Sequence, residues 1–185
     1  MARAKKGDRE AFTLLVNRHI DRLYGYALSL TRAATTAEDL VQETWLAAWQ
    51  HAASFNPRKA SVGTWLHRIL HNKFIDMVRK PQLLRQEGAV AAIADAYDAE
   101  QNQAQMQQMA KLNSLIHNLP TNQKAAIVLT YTQGFSNREV AHILGLGLRA
   151  TESLLARARN TLKQGFEQSS FPAAPYASSE EVSSH

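Results

Sequence analysis

The residues with the clearest chemical purpose lie near the end of the chain. Arg149, Glu152, Ser153 and Arg157 recur at three- and four-residue steps, so on a helix they share one face. Arginine bonds bidentately to guanine, glutamate accepts from the cytosine amino group, and serine bonds either. Arg159 and Lys163 lie further along and suit phosphate oxygens. That chemistry is the reading of DNA rather than the breaking of bonds.

A second group occupies Pro57 to Lys80. Arg58, Lys59, Arg68, Lys73, Arg79 and Lys80 face one acid, Asp76, expected to form a salt bridge or a cap. Phe55, Trp65, His67, His71 and Phe74 are interleaved with them. Cations beside aromatic rings suit single-stranded DNA, where stacking contributes about 1–3 kcal/mol per base. A third group, Asp39, Gln42, Glu43 and Ala47, lies near one helical face, with Leu40 and Trp45 turned elsewhere. Polar contacts around an apolar centre suit a protein partner. The same acids could equally complement a helix dipole, and Trp45 and Trp49 are read as core.

Other chemistries are excluded. The chain has no cysteine, so it holds no disulfide or zinc–thiolate site. It has no Gly-rich phosphate loop and no nucleophile elbow. His67 and His71 stand four residues apart, but no third ligand is evident nearby. An enzyme is not expected, nor a metal or cofactor. The net charge of +5 favours an anionic partner. The charged N-terminus lacks a secretory signal, and no stretch reaches the ~20 apolar residues that span a bilayer. A cytoplasmic protein without membrane insertion is expected.

Helices must position these groups. Ala11 to Leu30 repeats apolar residues at helical spacing. Thr36 is expected to cap the next helix, with Glu38 and Asp39 in its first turn. That helix fades at Ser54–Pro57. Thr64 opens another, which Pro81 stops. The stretch 81–108, rich in Ala, Gln and Asp, reads as a flexible linker with transient helix at 101–108. Helical spacing resumes at Met109 and runs to about residue 166. Residues 169–185 read as a disordered tail.

Ser136 to Leu146 is the sharpest local signal. Ser136 and Glu139 form a capping box. Ala141 admits a neighbouring helix, and Gly145 supplies a positive φ at the turn. Val140, Leu144 and Leu146 supply core, and Leu154 and Leu155 face inward on the next helix. A basic helix after a short Gly turn describes a helix-turn-helix, although a plain helical hairpin with a solvated basic face fits the segment too. The fold class is all-α. Two small helical domains (residues 1–80 and 109–168) are joined by the flexible linker, and the C-terminal one carries the helix-turn-helix.

Several motifs in order resemble the extracytoplasmic-function sigma factors. Asp39-Leu40-Val41-Gln42-Glu43-Thr44-Trp45 with Trp49 resembles their polymerase-binding helix. Gly63-Thr64-Trp65-Leu66, Ile69, Asn72, Ile75-Asp76 and Arg79 resemble the promoter-melting helix. Leu119-Pro120, Gln133-Gly134-Phe135-Ser136, Glu139-Val140-Ala141 and Ala158-Arg159 resemble the upstream-reading domain. The resemblance covers about residues 7 to 165.

It implies that Asp39, Gln42, Glu43 and Ala47 dock on a coiled coil of the largest subunit of core RNA polymerase. It implies that Phe55, Arg58, Lys59, Arg68, Asn72, Lys73 and Arg79 open the -10 element. Phe55, Lys59 and Asn72 would lie near a pocket for a flipped base. Arg149, Glu152, Ser153, Arg157, Arg159 and Lys163 would read the -35 duplex. It also implies contact with the second-largest subunit and control by an anti-sigma factor. Asp95, Asp98 and Glu100 in the linker would mimic nascent RNA. One departure is local: many relatives have an apolar residue at 151 and basic residues at 152 and 154, where this chain has Thr151, Glu152 and Leu154. A helix-turn-helix repressor acting without polymerase, or an adaptor, is the alternative.

Overall fold

The computed structural model describes residues 1–82 and 103–168. The helices are α1 (Arg9–Thr31), α2 (Ala34–Gln50), α3 (Val62–Gln82), α4 (Gln103–His117), α5 (Thr121–Ile127), α6 (Asn137–Leu144) and α7 (Leu148–Gln168). A π-helical turn, Val128–Thr132, extends α5. No strand occurs among the described residues, so the all-α expectation holds. The acidic linker positions and the tail lie outside the described residues, as do residues 101 and 102; residues 103–108, read as linker with transient helix, form the first turns of α4.

Local chemistry explains most boundaries. Asp8 caps α1 by accepting from the Ala11 N–H at 3.0 Å. The helix ends at Arg32, whose φ of 59° is left-handed. This turn sets the start of α2 earlier than the sequence implied. Ala33, in extended conformation, is its cap and offers no side-chain bond. Thr36 is therefore inside the first turn rather than capping it, and Glu38 and Asp39 lie beyond that turn. Ser61 accepts from the Thr64 N–H at 3.1 Å and starts α3. Pro81 does not stop α3 at once. It sits beside the terminal Gln82, where it removes only one bond from the end of the ladder.

In the N-terminal half, α1, α2 and α3 enclose Leu23, Tyr26, Leu40, Leu66 and Leu70. Each such side chain contributes about 1.5–3 kcal/mol by leaving water. Trp45 and Trp49 are half-buried, edge-on to Phe12 at 5.7 and 4.9 Å. In the C-terminal half, Leu129, Val140, Ile143, Leu155 and Ala158 are buried. There α4 crosses the far end of α7 at Gly165. A Cβ at that position would stand 2.6 Å from Leu115 Cδ2. The two halves also meet: α6 packs on α3, and α5 with its π turn packs on α1.

Candidate nucleic-acid interface

The helix-turn-helix is built as the sequence implied. Ser136 Oγ accepts from the Glu139 N–H, and Glu139 Oε2 accepts from the Ser136 N–H at 3.0 Å and from its hydroxyl at 2.8 Å. Gly145 takes φ 67° and its N–H donates to the Ala141 carbonyl. Val140 is fully buried and Leu144 partly so. Leu146 departs from expectation. It is 38% exposed, because the turn carries it outward after Gly145.

Arg149, Glu152, Ser153 and Arg157 all stand exposed on α7. Arg157 Nε reaches back to the Ser153 carbonyl at 3.4 Å. Thr151 is completely buried, and its hydroxyl donates to the Gly147 carbonyl at 3.1 Å. The residue at 151 thus holds the helix start and does not face DNA. Leu154 is partly buried, with Leu155 fully inside. Of the three departures, Glu152 alone changes the exposed chemistry. Arg159 Nη1 donates to the Tyr131 hydroxyl at 3.2 Å. Lys163 lies 3.9 Å from Glu167 in an exposed pair. Tyr131, 60% exposed, was not foreseen; its ring adds an amphipathic edge beside Arg159.

Around α3 the arrangement is different. Arg58, Lys59, Asn72 and Arg79 are exposed. Arg68 is half-buried and donates to the His142 carbonyl at 3.1 Å. Lys73 bonds Glu43 at 3.0 Å, so a cation of the expected DNA face is held by an acid of the expected polymerase face. The aromatic series turns inward. Phe55, His67, His71 and Phe74 are buried, and Phe55 stands edge-on to Trp65 at 5.4 Å. The stacking platform read from the sequence is therefore core. Phe55 supports the surface from beneath, with its carbonyl accepting from Lys5. Asp76 is exposed and makes neither of the bonds expected of it among the described residues.

The two buried histidines are committed to the fold. The His67 Nδ1–H donates to the Gly63 carbonyl at 2.8 Å. His71 Nδ1 is 3.1 Å from the Tyr26 hydroxyl. Burial pushes both imidazoles down to about 4 and raises the Tyr26 phenol, so all three are neutral at pH 7. Among the described residues, no group of three or more His, Asp or Glu side chains could hold a metal.

On α2, Asp39, Gln42 and Glu43 are exposed and Ala47 is half-buried. Asp39, Gln42, Glu43 and Leu46 line a shallow groove of about 400 Å³. Leu46 is 59% exposed at its floor. It is the apolar centre that the sequence reading lacked. Its position seven residues after Asp39 and three after Glu43 was the available signal.

Residues 15–83 match the family model for sigma-70 region 2, and residues 109–162 match that for sigma-70 region 4. SigM of Mycobacterium tuberculosis, an ECF RNA polymerase sigma factor, is 33% identical over 84% of this chain and 77% of its own length. This chain belongs to the ECF sigma factors. CnrH of Cupriavidus metallidurans, an RNA polymerase sigma factor, is 34% identical over 87% of this chain and 89% of its own length. The sigma factor RpoE, solved in complex with the anti-sigma factor NepR from Bartonella quintana, superposes with a TM-score of 0.71. It is 28% identical and covers 85% of this sigma factor and 98% of the solved chain. The family consists of regulatory initiation factors rather than enzymes. No helix among the described residues of this sigma factor is long and apolar enough to cross a membrane.

Proposed function

We propose that this sigma factor binds core RNA polymerase, carries it to a particular set of promoters and opens them. The reading rests chiefly on the exposed row Arg149, Glu152, Ser153 and Arg157 at the front of the second helix of a helix-turn-helix. That end of such a helix enters the major groove. Good bidentate pairs there discriminate between bases by about 1–3 kcal/mol each. Arg159 and Lys163 hold the register on phosphates.

The groove floored by Leu46 and rimmed by Asp39, Gln42 and Glu43 takes a coiled coil of the largest polymerase subunit, with further contact to the second-largest. Ala47 borders this face. The exposed Arg58, Lys59, Asn72 and Arg79, joined by Arg68 and Lys73 once their present partners release them, hold the single-stranded -10 element. With the aromatic side chains inside, these contacts are charge and hydrogen bonds more than stacking. Control by an anti-sigma factor follows from the likeness to RpoE, a sigma factor solved with one. The chain acts in the cytoplasm, where polymerase is.

Run-off transcription with core polymerase on a pool of genomic promoters tests this. Discrete new start sites are expected, absent without the protein. No new transcripts, together with tight binding to an operator by the protein alone, would replace this reading with that of a repressor.

A further inference from the structure

One polar contact of the C-terminal half lies wholly at the surface. Tyr131 belongs to the π-helical turn, where the Gln133 N–H donates to the Val128 carbonyl at 2.9 Å in the widened pattern of such turns. Val128 and Leu129 anchor the turn in the core. Tyr131 points the other way and is 60% exposed, so its ring forgoes most of the burial that a tyrosine usually contributes. Its hydroxyl accepts from Arg159 Nη1 of α7 at 3.2 Å. Because α5, which leads into the turn, packs directly on α7, the two side chains are held together before any ligand arrives.

Arg159 stands seven residues after Glu152, on the same face of α7. At 1.5 Å per residue it is about 10 Å further along the axis. The major groove is about 12 Å wide. With the row from Arg149 to Ser153 at the base edges, Arg159 therefore reaches the wall of the groove, where the phosphates are. Among the described residues no carboxylate pairs with Arg159, so its charge is left for another anion. The phenol occupies one N–H of the guanidinium and leaves the others free. The Tyr131 hydroxyl, having accepted that bond, still has its own hydrogen to give, and nothing among the described residues takes it.

We propose that Tyr131 and Arg159 together form a phosphate site for duplex DNA, with the phenol O–H and the guanidinium donating to one phosphate beside α7. Tyr131 is the positioning member: it keeps the long Arg159 side chain at the groove wall. A phosphate fits better than a base edge, because two converging donors meet several acceptor oxygens at the rim of the groove. The site rests on the reading of α7 as the helix that enters the groove; the Tyr131–Arg159 contact does not.

The test uses core polymerase carrying the full-length chain, titrated over a range of salt onto duplex DNA of two promoters located by run-off transcription. Tyr131→Phe keeps the ring and removes only the hydroxyl. It is expected to weaken binding roughly three- to tenfold at both promoters, with the thermal midpoint of the free chain unchanged. In the Arg159→Ala background the same change is expected to cost less than twofold, because the phosphate no longer seats between two donors. The slope of log affinity against log salt should fall by about 0.9 in Arg159→Ala, and should fall in Tyr131→Phe as well, although no charge is removed. Wild-type affinity and slope in Tyr131→Phe would overturn the site. Equal losses in both backgrounds would overturn the sharing of one phosphate. A loss at one promoter alone would make Tyr131 a reader of bases and overturn the proposal too. If the chain directs core polymerase to no promoter, the functional reading fails and this inference falls with it; promoter selection that Tyr131→Phe leaves untouched in affinity and slope sinks the inference alone.

Discussion

Two helices of equal length each carry four basic residues, and the protein treats them in opposite ways. In α3, 21 residues long, the distinctive side chains are engaged. His67 and His71 are in the core, Arg68 is held by α6, and Lys73 is held by Glu43. In α7, also 21 residues, the front row faces solvent and only the rear is anchored, through Leu155 and Ala158. The two basic helices look alike as DNA binders in sequence. Burial separates them: α3 is a structural helix with reading groups at its edge, and α7 is a reading helix with a structural inner face.

If that contrast is right, acid should strike α3 hardest. His67 and His71 titrate near 4 in the folded chain against 6.5 when unfolded. Their neutral burial is fully stabilising above about pH 6.5 and is lost as pH falls towards 4. About 3 kcal/mol is at stake for each. Urea midpoints at pH 7.5 and pH 4.5 measure this, and replacing His71 with Gln should flatten part of the decline. An unchanged midpoint would put the histidines outside the core.

Leu70→Ala, on the fully buried face of α3, should cost about 2–5 kcal/mol. The exposed Ser153→Ala on α7 should stay within about 0.5 kcal/mol. Similar losses by thermal unfolding would erase the distinction.

On α7 the cost should appear in function instead. Arg157→Ala is expected to lower initiation at a target promoter by about 1–3 kcal/mol of discrimination, roughly 5- to 150-fold, with stability and polymerase co-purification intact. Loss of co-purification would show that Arg157 acts elsewhere. Smallest of all, Lys73→Ala should change stability by less than about 1 kcal/mol, since its partner Glu43 is 64% exposed. A larger loss in urea would mean that the pair belongs to the structural part of α3.

How much was legible depended on how local the signal was. The capping box, the φ of Gly145 and the inward Leu155 follow from residues within a turn or two of one another, and all stand as read. Thr36 failed as a cap because the break is set upstream, by the left-handed Arg32, and leaves Ala33 in the capping place. The aromatic residues around α3 were misjudged because rings that stack on bases and rings that fill a core share the same three- and four-residue spacing. Leu46 was passed over because an exposed leucine and a buried one are the same letter. The packing of α6 on α3 was out of reach altogether: Thr64 and Glu139 are 75 residues apart, and no short-range pattern joins them.

The anchoring of α7 has a consequence for how such a protein changes over generations. Its rear is fixed by the buried Ala158 and by Gly165, where a Cβ would stand 2.6 Å from Leu115 Cδ2 and oblige that side chain to shift. Its front, at 149, 152 and 153, touches little else. Mutation can therefore rewrite the letters that the helix prefers while the scaffold stays indifferent, because exposed substitutions leave stability nearly unchanged. A duplicated copy of this gene could acquire its own set of targets in two or three steps, none of which passes through an unfolded ancestor.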